Sequence, residues 1–567
     1  MSNSVQVLSD HRQALLLAEV AAWLHDMGKC ADEHIINQAS DKPSNCSYRY
    51  KTAQSYRLPS GLLDIALLKE TVSVKDLIEK GMPRVIREAS QPWLLRVLGR
   101  CHSVAHVEKE LSDSDISTKQ PKGDTRSSTA FGLESSAVKD LAAKLDALPF
   151  SSLQQRSKIV PRIQETFEFA LSDTRRPVNE VTLADWSSAV AALYKPALAG
   201  ALLGVQPDPD DLRWRLLRVN FDVFTLYAKA IKIADLMGYQ NAVEEACAAV
   251  KQLVEEEYPL GNEIYRDTTG IYFTFPDVDS PADLAQEIRR QVEAVEPELA
   301  PYIAVEVPTG SNATEQLTSM LAEGRKKALN DLAQPFSQDN LSPRWRELWQ
   351  NLPDGKWELC PVCRLRPMQE GAEACATCLE RRGSRIQRWQ KNPQQTIWMD
   401  EIADHNDRVA LIVGKFGLDD WLSGDSVQTM LIKAEQNNPG GCVPKNPSPA
   451  RLRRVWETCR RFWTDTVNGI LQHHAYGDGS PLRCVRVAVV PDDTSGWQQN
   501  VPYDGAINDR AVSLLWQDDQ KPFITISNLQ LGVSQARDEN GLVAEWHSQT
   551  CTVDLPDRPG RQRTFKI

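Results

Sequence analysis

The sequence predicts a multidomain α+β chain in which an all-helical N-terminal domain precedes two ferredoxin-like α+β units with a zinc module between them. Three observations carry that expectation. Apolar residues recur at helical spacing through much of the first 205 positions. Beyond QPDPDD at 206–211, helical and strand-like stretches alternate. Two Cys-x-x-Cys pairs, Cys360/Cys363 and Cys375/Cys378, divide that second part. At 567 residues the chain is too long for one core, and its 41% hydrophobic and 25% charged residues are those of an ordinary globular protein. The boundaries follow: a helical domain over 1–205, an α+β unit over 206–345, a zinc ribbon over 346–395 and a second α+β unit over 396–567.

In the first domain, helical spacing runs from Ala14 to Leu24 and ends in HDMGK, where Gly28 suits a helix terminus. Further helical stretches are expected over 62–106 and 160–203. Between them, 107–138 is polar and rich in Ser, Thr and Asp, which predicts a mobile loop. A long helix is expected over 212–254. The run EIYRDTTGIYFTF at 263–275 predicts a hairpin, with β-branched and aromatic flanks around a DTTG turn. A helix at PADLAQEIRRQVEAVEP and a strand at YIAVEV complete the unit. After the cysteines, RVALIVGKFGLDDWL predicts a buried strand ending in an acidic turn, a helix follows over 451–471, and RCVRVAVVPDD, FITISNLQLGV and CTVDL supply later strands.

The stretch at the N-terminus is too short and too often interrupted by Arg12, Glu19 and His25 to be an anchor, so no membrane partner is expected. Twelve cysteines in so long a chain do not form a disulfide scaffold, which implies a reducing cytoplasm. The net charge of −11 argues against bulk electrostatic coating by nucleic acid, although a local basic groove is compatible with it. Arg451, Arg453, Arg454, Arg460 and Arg461 form one basic cluster, and Arg381, Arg382, Arg385 and Arg388 another. The plain reading of either is a solvated helix face.

Two motifs point to metals. The pairs CPVC and CATC, eleven residues apart, offer four thiolates to one ion, a set that suits tetrahedral structural zinc with no open position. In LHDMGK, His25 and Asp26 are vicinal ligands for a divalent cation. His102 and His106, four apart on one helix face, and Asp185 in TLADWSSAVAALY are the partners that would complete a metal-dependent phosphodiesterase site. His11 and His34 are less well spaced. The plainer alternatives are surface roles for His102 and His106, and helix capping for Asp185.

These residues resemble the HD-domain phosphohydrolases. With the cysteine pairs and the flanking α+β units, nearly the whole chain resembles the large signature subunit of type III CRISPR effector complexes, in a divergent branch with degenerate palm motifs. That resemblance implies an HD nuclease domain, a first palm, a zinc ribbon and a second palm, in this order. LADWSSAVAAL is similar to the late HD segment in which Asp is usually followed by His, here replaced by Trp186. GIYFTF resembles a palm core strand, VALIVGKFGLDDWL a palm strand with its acidic turn, and NPSPARLRRVWETCRRFW the segment after it. Gly417 stands where the first palm aspartate would, leaving Asp419 and Asp420, and Gly-Gly-Asp-Asp occurs nowhere, which argues against cyclic oligoadenylate synthesis.

The resemblance further implies guide RNA, target RNA, single-stranded DNA and other type III subunits as partners, and structural Zn2+ plus a divalent metal such as Mn2+ at the HD site as cofactors. His25, Asp26 and Asp185 would be catalytic, and the arginines of 451–461 would contact RNA phosphates. The family often continues with a helical domain, so the second palm is expected to be incomplete at Ile567. Two other functions fit the same residues: a free-standing HD phosphohydrolase acting on nucleotides, and an inactive structural subunit.

Overall fold

Strong helix formers fill Arg12–Leu24, and every residue from Leu15 to Leu24 is buried, so this helix (α2, after the short α1 at Gln6–Asp10) runs through the interior instead of lying on it. The computed structural model describes residues 5–31, 58, 62–105, 126–129, 136–137, 141–172, 178–179, 181–281, 283–308, 313–332, 347–350, 352–381, 431–433, 442–444, 448–457, 487–489, 502–507, 510–515, 523–525, 550–554 and 562–566. His106, Asp419, Asp420, Arg460 and Arg461, and the strand expected near 408–416, lie outside them.

The first region departs from the all-helical expectation. Asp64–Leu67 (β1) and Glu70–Ser73 (β2) pair antiparallel around Leu68 and Lys69, both at positive φ, and β1 alternates exposed and buried residues. Arg126–Thr129 (β3), Ser136–Ala137 (β4) and Val178–Asn179 (β5) form a small sheet in the order β4-β3-β5, so two strands fall inside the loop expected at 107–138. The helical part comprises α3 (Val74–Lys80), α4 (Trp93–Ala105), α5 (Leu141–Asp146), α6 (Arg156–Phe167) and α7 (Leu183–Leu202).

The long helix expected over 212–254 begins instead as a strand, β6 (Trp214–Asn220). It is buried along almost its whole length between two neighbours, and such a run shows no period that separates strand from helix. There follow α8 (Val223–Tyr227), α9 (Ile233–Gln252) with a π-helical turn at Leu253–Glu257, β7 (Glu263–Asp267), β8 (Gly270–Pro276), α10 (Leu284–Val295) and β9 (Tyr302–Glu306). The strands lie in the order β7-β8-β6-β9 with every neighbour antiparallel. A βαββαβ chain in this strand order has the ferredoxin-like topology. The hairpin tolerates only glycine at 270, where a Cβ would sit 2.3 Å from the Val219 carbonyl oxygen. The helix α11 (Ala313–Leu332) packs on β6 and β9.

Buried side chains of α2, α4, α6 and α7 and of β6 and β8 belong to one continuous core that runs across the expected boundary at 205. A second small core surrounds the cysteines, where β10 (Trp357–Leu359) and β11 (Pro367–Gln369) form a hairpin. Further on come a hairpin of β12 (Leu431–Lys433) with β13 (Cys442–Pro444) and a six-stranded antiparallel sheet. Its strands are β14 (Val487–Val489), β15 (Pro502–Ile507), β16 (Arg510–Leu515), β17 (Phe523–Thr525), β18 (Thr550–Asp554) and β19 (Gln562–Lys566), in the order β14-β17-β16-β15-β18-β19. The strands expected near 487, 523 and 551 are present, but their pairing is not that of a second ferredoxin-like unit. Only Asn508 and Asp509 link β15 to β16, and a link so short enforces direct hairpin pairing.

Candidate metal centres

Three elements bring the His-Asp residues together. His25 is the C-cap of α2, and Asp26 follows it at the start of a 3-10 turn, Met27–Cys30. His102 lies in the last turn of α4. The Glu70 carboxylate fixes the start of α4 by accepting from the Trp93 and Leu94 amides at 2.9 and 3.2 Å. Gly99 lets the helix approach the chain at Met82, whose carbonyl oxygen would lie 2.6 Å from a Cβ there.

The His25 Nδ1 lies 2.7 Å from the Ala22 carbonyl oxygen and therefore donates to it, which leaves the Nε2 lone pair directed at His102. His25 Nε2 and His102 Nδ1 are 2.8 Å apart, and Asp26 Oδ2 is 3.5 Å from each. Two ring nitrogens at this distance share a proton or hold a cation between them. Burial, opposed by the Asp26 charge, holds the His25 pKa below its ordinary 6.5. The cluster also lies at the C-terminal ends of α2 and α4, where the backbone dipoles favour positive charge. The donor set of two nitrogens and a carboxylate oxygen, all within 4.8 Å of one another, fits a divalent ion.

Asp185 does not join them. It occupies the third position of α7, where Oδ2 accepts from the Thr182 amide and hydroxyl, both at 3.0 Å, in a capping box. Its Oδ1 accepts from Arg453 at 2.7 Å, and Arg454 stands 3.7 Å from Oδ2. Trp186, the next residue, faces the cluster instead. Its indole N–H donates to Asp26 Oδ2 at 2.8 Å, and its ring meets His102 edge-on, with centroids 5.5 Å apart. Lys29 adds an ammonium 3.1 Å from the same oxygen. Trp186 thus stands beside the cluster as a hydrogen-bond donor and not as a ligand, and Lys29 is a partner that its i,i+3 spacing from Asp26 makes legible in the sequence.

The expected phosphate contacts are also redirected. Arg451 and Arg454 are buried, Arg453 is largely so, and the helical segment holding them inserts Ala450 into the core. Arg453 and Arg454 face Asp185 because that wholly buried carboxylate needs countercharge.

Cys360, Cys363, Cys375 and Cys378 are all buried, with their sulfurs within 4.8 Å of one another. Amides of Arg366 and Cys375 donate to the Cys363 and Cys360 sulfurs at 3.4 and 3.2 Å, as suits thiolates. Four sulfurs in this arrangement fit zinc and leave no position for a substrate. The wholly buried Glu296 carboxylate, just past α10, ties the hairpin to the βαββαβ unit through Arg366 and Arg381, each at 2.6 Å. Arg381 thus serves as an internal partner instead of an outward basic patch.

No family model matches the chain, and no curated protein matches it. Among solved structures it is similar to the Csm1-Csm4 subcomplex in the type III-A CRISPR-Csm interference complex, with 14% identity and a TM-score of 0.38 over 63% of this chain and 56% of that one. A Csm1-Csm4 cassette in complex with cA3 matches with 14% identity and a TM-score of 0.35 over the same shares. An apo Csm1-Csm4 cassette matches with 14% identity and a TM-score of 0.36 over 56% of this chain and 47% of that one. The chain spans about half the length of the solved chains it matches.

A third buried polar cluster lies on α2 itself. Arg156 grips Glu19 through two nitrogens at 2.7 and 2.8 Å and reaches Glu255 at 2.7 Å. The wholly buried Lys195 donates to Glu19 at 2.9 Å and to the Glu255 carbonyl at 2.8 Å, and Asn262 donates to Glu19 at 2.9 Å. These bonds join α2, α6 and α7 to the π-helical turn of the βαββαβ unit. Burial would raise the Glu19 pKa, but Arg156 and Lys195 bring it down to about 2. Among the described residues, no helix is long and apolar enough to cross a membrane.

Proposed function

We propose that this chain is the large subunit of an RNA-guided effector complex of the type III CRISPR kind, and that His25, Asp26 and His102 form a metal-dependent site that hydrolyses single-stranded DNA. The observation that carries the chemistry is the convergence of three ligand atoms within 4.8 Å at the C-terminal ends of two helices. The order of parts supports the assembly role: a helical region with an HD pair, a βαββαβ unit and a four-cysteine zinc ribbon. Guide RNA, target RNA and neighbouring subunits would be its partners, in the cytoplasm. Zn2+ would be structural, and a divalent ion such as Mn2+ would bind at the HD site.

A divalent ion held there would supply Lewis acidity toward a phosphodiester and its attacking water. The chain's own residues have defined parts. His25 is set in one tautomer by the Ala22 carbonyl and presents Nε2. Trp186 and Lys29 hold Asp26 by one carboxylate oxygen. Lys29, only partly buried, also offers a cation to a phosphate at the edge of the site. Asp185 acts as a positioning residue, since its capping box fixes the turn of α7 that carries Trp186.

The same observations favour a second reading, an inactive structural subunit: Trp186 and Lys29 already satisfy one oxygen of Asp26, and Arg453 holds Asp185. One experiment separates these readings. The protein is purified with its natural partners, its bound RNA is sequenced, and cleavage of single-stranded DNA is measured with manganese. A repeat-derived guide together with cleavage that His25→Ala with Asp26→Ala abolishes is the expected result. A guide without cleavage selects the structural subunit. No guide, with turnover of a small nucleotide, selects a free-standing phosphohydrolase and overturns the assembly role.

A further inference from the structure

Away from the clusters, α5 and α6 border a groove of about 810 Å3 on the outside of the helical region. Lys158 and Arg162 are one turn apart on α6, Glu165 continues their stripe, and Phe169 lies on the same line just beyond the helix end. Lys144 of α5 closes the opposite wall, its ammonium 3.8 Å from the centre of the Phe169 ring. Phe169 is 37% exposed, whereas Phe167, Phe221, Phe273 and Phe275 are buried; among the described phenylalanines only Phe224, outside the groove, is more open. The three cations are exposed, and Glu165 is the carboxylate among the lining residues, paired with Arg162 at 2.9 Å. Among the described residues Lys144 and Lys158 make no ion pair with a carboxylate.

We infer that this groove binds single-stranded DNA, with the backbone held by Lys144, Lys158 and Arg162 and a base stacked on Phe169. The chain carries a net charge of −11, so three cations with one carboxylate are a local arrangement and not a reflection of composition. Cations flanking an exposed ring are what an unpaired strand requires: phosphates take the charges, and any base can offer its face. A duplex keeps its bases stacked on each other and has none free for Phe169. The wall helix α5 packs against Met27–Cys30, the turn in which Lys29 flanks Asp26, so the groove and the His-Asp cluster are joined through one element. What happens to the strand there rests on the proposed nuclease function. The binding itself does not.

The test uses the full chain and a fluorescent oligothymidylate of about 20 nucleotides, a length that covers one such groove. Binding is followed by anisotropy in EDTA across a salt series, and cleavage is followed separately with Mn2+. Replacing Lys144, Lys158 and Arg162 together by Gln should weaken binding more than tenfold at low salt and lower the slope of log affinity against log salt by about 2. Phe169→Ala should weaken binding about tenfold with an unchanged slope, and Phe169→Trp should restore it. Wild-type affinity and slope in the triple variant would overturn the inference. So would competition by an oligoglutamate peptide as effective as that by DNA. Lost binding in the variants, with no cleavage by the wild type, upholds the groove and removes the nuclease. Cleavage and binding that are equal in wild type and variants remove the groove and leave the nuclease standing.

Discussion

At the cysteine cluster every donor is a buried sulfur and two of the four accept backbone N–H bonds, whereas at the His-Asp cluster the donors are nitrogen and oxygen and His102 reaches solvent. The cysteines leave a tetrahedral ion nothing further to bind. The histidines and Asp26 leave positions open but also hand the carboxylate to Trp186 and Lys29. An ion at the first site would complete the fold, and an ion at the second would compete with hydrogen bonds already in place. The two should therefore respond to metal on different scales.

The largest effect is expected at the cysteines. Structural zinc in such a set binds with an apparent free energy of about 10 kcal/mol or more, most of which appears as folding. Purified protein should carry a single structural zinc, and Cys363→Ser with Cys378→Ser should lose it together with the hydrogen-exchange protection of β10 and β11. Protection that survives zinc loss would show that Glu296, with Arg366 and Arg381, holds the ribbon without metal.

Next comes the Glu19 cluster, which has buried charge on α2 and, among the described residues, no metal-binding donor set. Glu19→Gln leaves Arg156 and Lys195 without their shared carboxylate, and breaking a buried pair costs about 3–5 kcal/mol. The sign with pH follows from the lowered pKa. A carboxyl ordinarily near 4.5 and held at about 2 contributes stability that is full above its unfolded value and lost as pH falls through the folded one. The stability gap between wild type and Glu19→Gln, measured by urea unfolding below pH 5, should close between about 4.5 and 2. Nearer neutral pH Lys195, which burial brings down to about 8 against the pull of Glu19, adds its own titration to the gap. A gap that does not change with pH would mean that packing, not charge, is what Gln disturbs.

Local signals were legible wherever one element decided the outcome. The α2 pattern, the DTTG hairpin and the cysteine spacing all appear where the sequence placed them. The His25–Asp26 pair was legible as adjacent residues, and His102 as a helical partner on another element. What was illegible depends on burial between elements. β6 is buried along almost its whole length although it carries Arg215, Arg218 and Asn220, so its sequence shows no alternation that marks a strand until β8 and β9 flank it. Asp185 has a ligand's chemistry, and only the arrival of Arg453 from nearly half the chain away shows that it is spent on capping and an ion pair. The orientation of Trp186 follows from that same anchoring, since consecutive residues of a helix point in different directions.

The smallest effect tests that orientation. Trp186→Phe keeps an aromatic ring against His102 but removes the 2.8 Å hydrogen bond to Asp26, a loss of about 1 kcal/mol in the metal-free protein. If the indole competes with an ion for Asp26 Oδ2, the variant should show a larger thermal stabilisation by Mn2+ than wild type, since a ligand raises stability only by its affinity for the folded state. His25→Ala in the same background should abolish the Mn2+ response and so locate it at the cluster. A smaller Mn2+ response in Trp186→Phe would reverse the assignment. The indole would then hold Asp26 in its ligating pose, and Trp186 would support the metal without touching it.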